Sequence, residues 1–567
     1  MRSVALNFLV GLVLTGIAAF GVFSLFDHPL TGIDDANIYF VYARNLADEH
    51  GFVYNVGGER VEGSTSLLWT LICALAFEAS GHAELTLFLI NIILLSLGIA
   101  AALTYLQRGL GVRETKLHLG LLYSAAFLVL LLSSPRYIVW NTITLMENGL
   151  WSTLLLLTTL FVVRDHAPAR VMNLGFIPLS MLLILTRPEA ILWVSVFLGI
   201  LFLRLTAASN PVDALKQIAP SILGFILTLS LLTLFRIMYF GYPVPNTFYA
   251  KVSTSLGYNI QQGLVYLGKY ILSDPIVLLA VIVVVISGTN VLSRLLSNRS
   301  PTEGSAYLPI LAGTGLLAPL LTGGDHFGSF RLYQNIYPIL LLSLLYFVTL
   351  YLPVFLRAME HPKSSRTQER LPGSLSMLTL FLVVLIFQFS MWKSIKSEIA
   401  IEFNVADYGR KNGAFIQALF SALPQPPSLG VVTSGGIKYS YEGEVVDLMG
   451  LNNTIMAHNG GDRRGIKNHA AFDIPTFYRL QPDIVWPLTV VTADWQYANV
   501  EIKESWENRE GLKGLFDEPR FLEMYTYAKM TDKRSNGYAL VAWVKKDLLE
   551  ELESDPDFHV ERYLYTP

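Results

Sequence analysis

Residues 4–37 read VALNFLVGLVLTGIAAFGVFSLFDHPLTGIDDAN, an apolar run followed closely by two adjacent acidic side chains, Asp34 and Asp35. The apolar part, residues 4–26, is long enough to cross a bilayer, since a spanning helix needs about 20 apolar residues. A carboxylate beside hydrocarbon requires water, a cation or a proton. Two adjacent carboxylates at this position therefore indicate a function. This stretch predicts a membrane protein whose first loop contains part of a functional site.

The composition extends that expectation to the whole chain. The 567 residues are 53% hydrophobic and only 15% charged, whereas a soluble domain carries roughly 25% charged residues. The net charge of -3 gives no indication of nucleic-acid binding. Cys73 is the only cysteine, which excludes an internal disulfide. We interpret the N-terminus as a retained signal anchor on a polytopic membrane protein.

Eleven apolar runs predict about 11 transmembrane helices. They are residues 4–26, 84–105, 118–135, 149–163, 172–186, 190–205, 218–240, 274–292, 307–322, 335–356 and 375–392. A shorter run at residues 67–79 is interpreted as an interfacial helix.

The loop charges then set the orientation of the chain. With eleven spans, one face receives the loops that contain Arg108, Arg113, Lys116, Arg164, Arg170, Arg204, Lys216, Arg294, Arg299, Arg357, Lys363, Arg366 and Arg370. By the positive-inside rule this face is cytoplasmic. The N-terminus is therefore predicted to be cytoplasmic, and the chain after the last span to be extracytoplasmic.

The predicted fold class is a mostly α polytopic membrane protein with a C-terminal α/β domain. Residues 1–392 form the transmembrane domain, with a first outer loop and interfacial helix at 27–83, and residues 393–567 form the extracytoplasmic domain. In that domain, residues 429–433 and 444–448 resemble short buried strands, and residues 516–530 and 545–552 resemble helices. No internal repeat supports a transporter built from inverted repeats.

The first outer loop contains the acidic pair and a short predicted helix. Tyr39, Tyr42 and Leu46 share one helical face. An Asp before such a helix often caps it, so capping by Asp34 with a solvated Asp35 is an open alternative. Farther along, Gly57-Gly58 predicts the turn of a hairpin, and a serine of residues 64–66 is expected to cap the interfacial helix.

Four further clusters fall on the predicted outer face. They are Glu147 at a span entrance, Arg187-Pro188-Glu189 between two spans, residues 242–251 (YPVPNTFYAK), and Gly323-Gly324-Asp325-His326 leading to Arg331. Ionisable residues that converge at one leaflet indicate a functional site, so one outer cavity is expected. The plainer alternatives are a local salt bridge for Arg187 with Glu189 and a surface hydrogen bond for His326.

These side chains suit a particular chemistry. Arg and Lys bind phosphate, carboxylates bind sugar hydroxyls, and aromatic faces suit sugars and lipid. Phosphate is a good leaving group once cations neutralise it, so one carboxylate base is enough. A second carboxylic acid is not needed, unlike in glycoside hydrolysis. The pattern predicts transfer of a sugar from a lipid phosphate, with inversion of the anomeric carbon.

The motifs also resemble a known family. The architecture is similar to the GT-C superfamily of membrane glycosyltransferases, and within it to the terminal arabinofuranosyltransferases of mycobacterial cell walls and their bacterial relatives. The matching motifs are Asp34-Asp35-Ala36, Tyr42-Ala43-Arg44-Asn45, Tyr54-Asn55, Gly57-Gly58-Glu59-Arg60-Val61-Glu62-Gly63, Leu68-Trp69, Met146-Glu147, Thr186-Arg187-Pro188-Glu189, residues 245–251, Gly323-Gly324-Asp325 and residues 447–452. The sequence departs from the family pattern at His326-Phe327 and at Asn453.

The resemblance implies polyprenyl-phosphate arabinofuranose as donor and Asp34 or Asp35 as base, with analogy favouring Asp34. Residues expected to contact the donor phosphate or sugar are Arg44, Glu147, Arg187, Glu189, Asn246, Tyr249, Lys251, Asp325, His326 and Arg331. Residues expected to bind the acceptor or to be structural are Tyr54, Asn55, Glu62, Asp447 and Asn452. A role for a divalent metal is left open, because a site built only of carboxylates holds Mg or Mn weakly.

The expected location is the plasma (inner) membrane of a bacterium. The expected partners are a lipid-linked sugar, membrane lipid and an acceptor that is a cell-envelope glycan or a secreted protein such as pilin, with no nucleic acid. Two alternatives remain: the same reaction with another polyprenyl-phosphate sugar, and a transporter for a lipid-linked sugar.

Overall fold

A computed structural model describes residues 2–108, 117–164, 169–207, 209–297, 301, 303–360, 373–485, 507–533 and 539–563. The chain divides into two compact units. The first unit comprises Met1–Asp27, Phe88–Leu232 and Asn259–Ile399, and the second comprises His28–Leu87, Thr233–Tyr258 and Ala400–Pro567. Most of the first loop and residues 245–251 therefore belong to the same unit as the C-terminal region.

Helices dominate the described residues, as the sequence predicts. They are α1 (Arg2–Phe23), α2 (Asp34–Ala47), α3 (Leu67–Ala79), α4 (Ala83–Gln107), α5 (Leu117–Leu132), α6 (Pro135–Asn141), α7 (Asn148–Val163), α8 (Ala169–Thr186), α9 (Ala190–Thr206), α10 (Pro211–Phe240), α11 (Asn246–Lys251), α12 (Leu256–Leu272), α13 (Pro275–Leu296), α14 (Leu308–Leu317), α15 (Arg331–Gln334), α16 (Tyr337–Glu360), α17 (Gly373–Leu419), α18 (Gly435–Ser440), α19 (Thr454–Ala457), α20 (Ile474–Leu480), α21 (Pro519–Met524) and α22 (Lys546–Ser554).

Several of these helices suit a membrane. Within the described residues, four are long and apolar enough to cross one, namely Ser3–Phe23, Ala83–Gln107, Pro211–Phe240 and Pro275–Leu296. The number is six if each of two bent pairs is one span, namely Leu119–Leu132 with Pro135–Asn141 at 72° and Gly328–Gln334 with Tyr337–Tyr351 at 65°. Shorter apolar helices cover Leu67–Ala79, Asn148–Val163, Arg170–Thr186, Ala190–Thr206 and Gly304–Leu320. The count of eleven spans stays a prediction.

The orientation of the chain also stays a prediction. Of the loop charges that support it, Arg113, Lys116, Arg299, Lys363, Arg366 and Arg370 lie outside the described residues.

A proline separates α8 from α9 in the first unit, as the sequence predicts. Helix α8 ends at Thr186 and α9 begins at Ala190. Pro188 lacks an N–H group and disfavours a helical conformation at the residue before it. The break leaves Arg187 and Glu189 in the short connection, where their side chains meet.

The second unit contains a six-stranded sheet as described, which gives the C-terminal region its α/β character. The strands are β1 (Leu429–Val431), β2 (Val445–Asp447), β3 (Ile484–Val485), β4 (Tyr525–Asp532), β5 (Ala539–Lys545) and β6 (Phe558–Arg562), in the order β2-β1-β3-β5-β4-β6. Strand β1 pairs in parallel with β2 and β3, and the other pairs are antiparallel. The strands predicted near residues 429–433 and 444–448 are confirmed.

The helix predicted for residues 516–530 is wrong from residue 525 onward. Helix α21 ends at Met524, and β4 starts at Tyr525 between β5 and β6. Tyr525 and Tyr527 alternate with outward residues, and the Tyr527 ring lies 5.2 Å from that of Trp543. The hydrogen bonds that β4 makes with β5 on one side and β6 on the other outweigh the helical tendency of this segment. The helix predicted for residues 545–552 is confirmed as α22.

The hairpin predicted around Gly57-Gly58 is also wrong, because no strand flanks the turn in this described segment. The turn itself is present, with the N–H of Gly58 donating to the carbonyl of Asn55 at 3.0 Å. Asn45 of α2 occupies the strand's place, since its amide donates to the carbonyls of Val53 and Tyr54. The expected serine cap of α3 is confirmed at Ser66.

Candidate active site

Asp34 begins α2 but does not cap it. The N-cap residue is Ile33, which has no side-chain cap. The carboxylate of Asp34 instead accepts the N–H groups of Gly435 and Gly436 at 3.0 and 2.7 Å. These two residues form the first turn of α18, so Asp34 binds the orphan donors of a helix some 400 residues away. The capping alternative from the sequence is therefore wrong for α2.

The surroundings of Asp34 change its acidity. Removal from bulk water raises the pKa of Asp34 to about 6, and the negative charges of Asp35 and Asp447 act in the same direction. The N–H groups of Gly436 and Gly435 oppose this rise because they stabilise the ionised form. A carboxylate with a pKa near neutrality is well matched to accept a proton and release it again.

Asp35 lies beside the one basic residue of the 245–251 segment. The Nζ atom of Lys251 is 3.6 Å from a carboxylate oxygen of Asp35, and about a fifth of each side chain is exposed. Lys251 is the last residue of α11. Asp35 and Lys251 are thus partly solvated, next to the more enclosed carboxylate of Asp34.

The short helix α11 is fixed by polar contacts at its start. Asn246 donates from its amide to the carbonyls of Gly450 and Leu451 at 2.8 and 3.0 Å. Its backbone N–H donates to the carbonyl of Glu62 at 3.0 Å. Asn246 therefore ties the segment to the first loop and to the C-terminal region, and it positions Lys251 one and a half turns later.

Tyr249 lies on an aromatic stack beside this helix. The ring of His458 contacts both Tyr242 and Tyr249, with ring centroids 3.9 and 4.1 Å away, and the two tyrosine rings are 5.7 Å apart. Arg463 donates to the carbonyl of Tyr249 at 2.8 Å. Burial lowers the pKa of His458, and the charge of Arg463 adds to that effect. A neutral imidazole in this stack suits contact with an uncharged ligand.

Glu62 forms a buried ion pair that the sequence did not reveal. Arg236 donates from Nε and Nη2 to the two carboxylate oxygens of Glu62 at 2.8 and 2.9 Å. The side chains are only 3% and 8% exposed for Glu62 and Arg236. Burial raises the pKa of Glu62, although Arg236 opposes the rise. For Glu62 the sequence allowed acceptor binding or a structural role, and this buried ion pair favours the structural role.

Tyr54, Asn55, Asp447 and Asn452 also make structural contacts. The Asn55 amide exchanges two hydrogen bonds of 3.0 Å with the backbone of Val445, as a neighbouring strand would. Tyr54 donates to the carbonyl of Ser434 at 2.6 Å. The buried carboxylate of Asp447 accepts the backbone N–H and the side-chain amide of Asn452. The first loop is thereby bonded directly to the C-terminal region.

Arg44 lies ten residues after Asp34 on α2. Its guanidinium is 5.0 Å from the centre of the Tyr439 ring, and within the described residues it has no carboxylate partner. Ten helical residues correspond to about 15 Å, so Arg44 and Asp34 lie at opposite ends of α2. The position of Arg44 gives no direct support to a shared role with Asp34.

In the first unit, Arg187 joins two acidic residues. It contacts Glu147 through Nη1 and binds Glu189 through Nε and Nη2 at 3.2 and 2.9 Å. The Glu147 side chain is buried, whereas that of Glu189 is 29% exposed. The local salt bridge expected as an alternative is confirmed. Arg187 and Glu189 also line a small cavity of about 30 Å³, together with Trp151, Trp193 and Asn335.

A second ion pair in this unit joins Asp325 and Arg331. Arg331 binds one oxygen of Asp325 through Nε and Nη2 at 2.7 and 2.6 Å. His326 lies 3.3 Å from the other oxygen. Arg331 follows Ser329 and Phe330, which have φ angles of 56° and 55°. Such left-handed conformations cost about 1–3 kcal/mol each, so the surroundings must enforce this turn.

The expected site residues thus fall into two groups. Asp34, Asp35, Arg44, Tyr54, Asn55, Glu62, Asn246, Tyr249, Lys251, Asp447 and Asn452 belong to the second unit, and Glu147, Arg187, Glu189, Asp325, His326 and Arg331 to the first. In the second unit the contacts above connect these residues, except that Arg44 stands apart. In the first unit they form two separate sets, Glu147 with Arg187 and Glu189, and Asp325 with His326 and Arg331. The single outer cavity stays a prediction. Among the described residues, no three His, Cys, Asp or Glu side chains are grouped to hold a metal ion.

Sequence reasoning missed two sets of residues. Gly435 and Gly436, which bind Asp34, carry no side chain that signals chemistry, although a Gly-Gly pair beside a strand indicates a close backbone approach. Arg236 had a clearer signal, because an arginine inside the apolar run 218–240 indicates a specific partner. That partner, Glu62, is far away in sequence.

Comparison with known proteins supports the fold. The chain is similar to the archaeal oligosaccharyltransferase AglB from Archaeoglobus fulgidus, solved in complex with an inhibitory peptide and a dolichol-phosphate. The TM-score is 0.50 and the sequence identity 11%, over 95% of this chain and 74% of that chain. At this identity the likeness concerns the fold alone. No family model matches the chain, and no curated protein matches it by sequence.

Proposed function

We propose that this protein is a membrane glycosyltransferase that moves a sugar from a polyprenyl phosphate to an acceptor hydroxyl. The observation that carries the proposal is the Asp34–Asp35 pair, with one carboxylate held by two N–H groups and the other beside Lys251. The GT-C-type fold supports the reaction class, and the dolichol-phosphate bound to AglB supports a lipid phosphate as ligand. Asp34 can act as the base, and Lys251 beside Asp35 is a cation that can neutralise phosphate. The transfer requires both groups.

The proposed reaction is a single displacement. Asp34 accepts the proton of the acceptor hydroxyl while the hydroxyl oxygen forms a bond to the anomeric carbon. The bond from that carbon to the phosphate oxygen breaks, and polyprenyl phosphate leaves with the electron pair. Lys251 neutralises the charge that develops on the phosphate. Attack opposite the leaving group inverts the anomeric configuration, and no covalent enzyme intermediate forms.

The finer identity of the substrates rests on the motifs of the first loop. They favour arabinofuranose as the sugar, with another polyprenyl-linked sugar as the alternative. The proposed acceptor is a cell-envelope glycan or a secreted protein, on the outer face of a bacterial inner membrane. The neutral aromatic stack of Tyr242, His458 and Tyr249 supports an uncharged sugar near Lys251.

A transfer assay tests this proposal. Purified protein in detergent is incubated with synthetic polyprenyl-phosphate arabinofuranose, with and without magnesium or manganese, and release of polyprenyl phosphate is followed. We expect consumption of this donor and an inverted product. If other polyprenyl-phosphate sugars are consumed instead, the sugar assignment fails and the reaction class stands. If folded protein consumes none of them, the proposal fails.

Replacing Lys251 by Ala should weaken use of the donor. Because one charged contact to phosphate contributes about 1.5–3 kcal/mol, we expect the KM for the donor to rise at least about tenfold. The measurement is the donor dependence of the initial rate. Lys411→Ala is the matched control, since Lys411 also pairs with an aspartate, Asp407 at 2.6 Å, but is exposed on α17. Equal donor dependence in both variants would remove Lys251 from phosphate binding.

A further inference from the structure

The segment that holds Asp34 is itself held by a buried carboxylate. Asp447 accepts the hydroxyl of Ser434 at 3.3 Å and the backbone N–H of Asn452 and Met449 at 2.9 Å. It also accepts the side-chain amide of Asn452 at 3.0 Å. All of these partners are donors, which is the bonding pattern of an ionised carboxylate. Ser434 directly precedes the two glycines that bind Asp34.

Two tyrosines of the first loop support the same segment. Tyr54 donates to the carbonyl of Ser434 at 2.6 Å. Tyr42 donates to the Oδ1 atom of Asn452 at 3.2 Å, and its oxygen accepts the N–H of Gly63. Asn452 in turn donates to the Ser434 hydroxyl at 3.2 Å. Buried networks in which the bonds are mutually satisfied are rigid, so this one fixes Ser434 and the two glycines after it.

The two glycines are required by the closeness of the approach. A Cβ atom on Gly435 would lie 2.0 Å from the carbonyl oxygen of Asp34. A Cβ atom on Gly436 would lie 2.6 Å from the carbonyl oxygen of Ala406. Only residues without a side chain can bring both N–H groups to the Asp34 carboxylate.

We propose that residues 434–436, braced by Asp447 and Tyr54, form a cradle of peptide N–H groups that positions Asp34 for proton transfer. Tyr54 and Ser434 are then positioning residues, and the C-terminal region supplies part of the active site. The link to catalysis rests on the proposed function. The cradle itself is a property of the folded protein that can be measured without substrate.

Charged groups from several elements surround this site and bear on the acidity of Asp34. Asp35 lies on the same helix, Asp447 ends β2, and Lys251 from α11 faces Asp35. Arg410 from α17 donates to the Asn37 side chain in the first turn of α2. Tyr54→Phe and Ser434→Ala change none of these charges. Each substitution removes a hydrogen bond that holds the cradle in place. The N–H groups of Gly435 and Gly436 then stabilise the ionised form of Asp34 less, so the pKa of Asp34 rises.

The test is an infrared titration of purified full-length protein. The Asp34 carboxyl band is identified by subtracting the spectrum of Asp34→Asn. We expect a midpoint of about 6 in the wild type, raised by about half a pH unit or more in Tyr54→Phe and in Ser434→Ala. The acidic limb of the transfer rate should move by the same amount.

Matched controls are available in the same unit. Tyr441→Phe removes another buried hydroxyl that donates to a backbone carbonyl, that of Pro427. Ser428→Ala removes another serine hydroxyl that binds an aspartate, Asp483 at 2.8 Å. Neither should move the Asp34 band. An unmoved midpoint in a folded Tyr54→Phe or Ser434→Ala variant overturns the cradle. Absence of transfer with a shifted band instead rejects the proposed function and keeps the cradle.

Discussion

Replacing Asp34 by Asn should reduce sugar transfer by about 10²–10⁴-fold, the usual contribution of a general base. An amide cannot take the proton of the acceptor hydroxyl, so the chemical step is lost while donor binding remains. The amide oxygen of Asn still accepts an N–H group from Gly435 or Gly436, and we expect the variant to fold. The measurement is the turnover number with synthetic donor in detergent.

The pH dependence of the wild type reports on the same carboxyl group. Since burial raises the pKa of Asp34 to about 6, we expect kcat/KM to fall about tenfold per pH unit below that value.

The raised pKa of Asp34 also makes the stability of the folded protein depend on pH. The folded state holds this proton more tightly than the unfolded chain does, so the contribution of Asp34 to stability is lost as pH rises from the ordinary pKa of 3.8 to about 6.

Two further variants make the assignment of the base specific. Asp48→Asn is the control, because Asp48 follows the same helix α2 and lies away from the cradle, and its turnover should equal that of the wild type. Asp35→Asn should be impaired less than Asp34→Asn, since Asp35 contacts Lys251, whereas Asp34 accepts the N–H groups of the cradle. Near-normal turnover in Asp34→Asn with complete loss in Asp35→Asn would assign the base to Asp35.

The sequence predicted the positions of local features well. The acidic pair, the proline break at Pro188, the serine cap at Ser66 and the strand near residue 430 all follow from short patterns. Each depends on side chains within a few residues of one another. Helical spacing, cap chemistry and a missing N–H group act locally, so they can be recognised without knowledge of the tertiary fold.

Contacts across the sequence were not predictable in the same way. Nothing near Asp34 indicates that its carboxylate binds Gly435 and Gly436, because both ends of that contact are chosen by tertiary packing. The same cause explains the error at Tyr525, where two partner strands decide the conformation. The capping alternative for α2 stayed open in the sequence because an Asp at the start of a helix has two possible sets of donors. Only the folded chain shows which set Asp34 uses.

Replacing Arg236 by Met should destabilise the protein by about 3–5 kcal/mol, the usual cost of removing one partner of a buried ion pair. Glu62 would lose both of its guanidinium bonds and remain almost fully buried. Methionine is long and flexible enough to fill the arginine stem's place, which separates the loss of charge from a loss of packing. The measurement is the midpoint of thermal unfolding, followed by intrinsic fluorescence in detergent.

The matched control is an exposed ion pair of the same geometry. Arg562 binds both oxygens of Glu553 at 2.6 Å, but the two side chains are 46% and 36% exposed. Water compensates an exposed charge, so Arg562→Met should change stability by no more than about 1 kcal/mol. Equal effects of the two substitutions would contradict a structural role that depends on burial.

The pH dependence of the Arg236→Met variant identifies the buried charge as the cause. Burial raises the pKa of Glu62, and Arg236 holds it down, so loss of Arg236 should raise it further. The folded variant then binds a proton that the unfolded chain releases above its ordinary pKa of 4.5. Its stability deficit should therefore grow as pH rises from that value and shrink in acid.

Adding Glu62→Gln should recover much of the loss, because a neutral amide costs less to bury than an unpaired carboxylate. A deficit that is the same at every pH and persists in the double variant would show that Arg236 acts through packing alone.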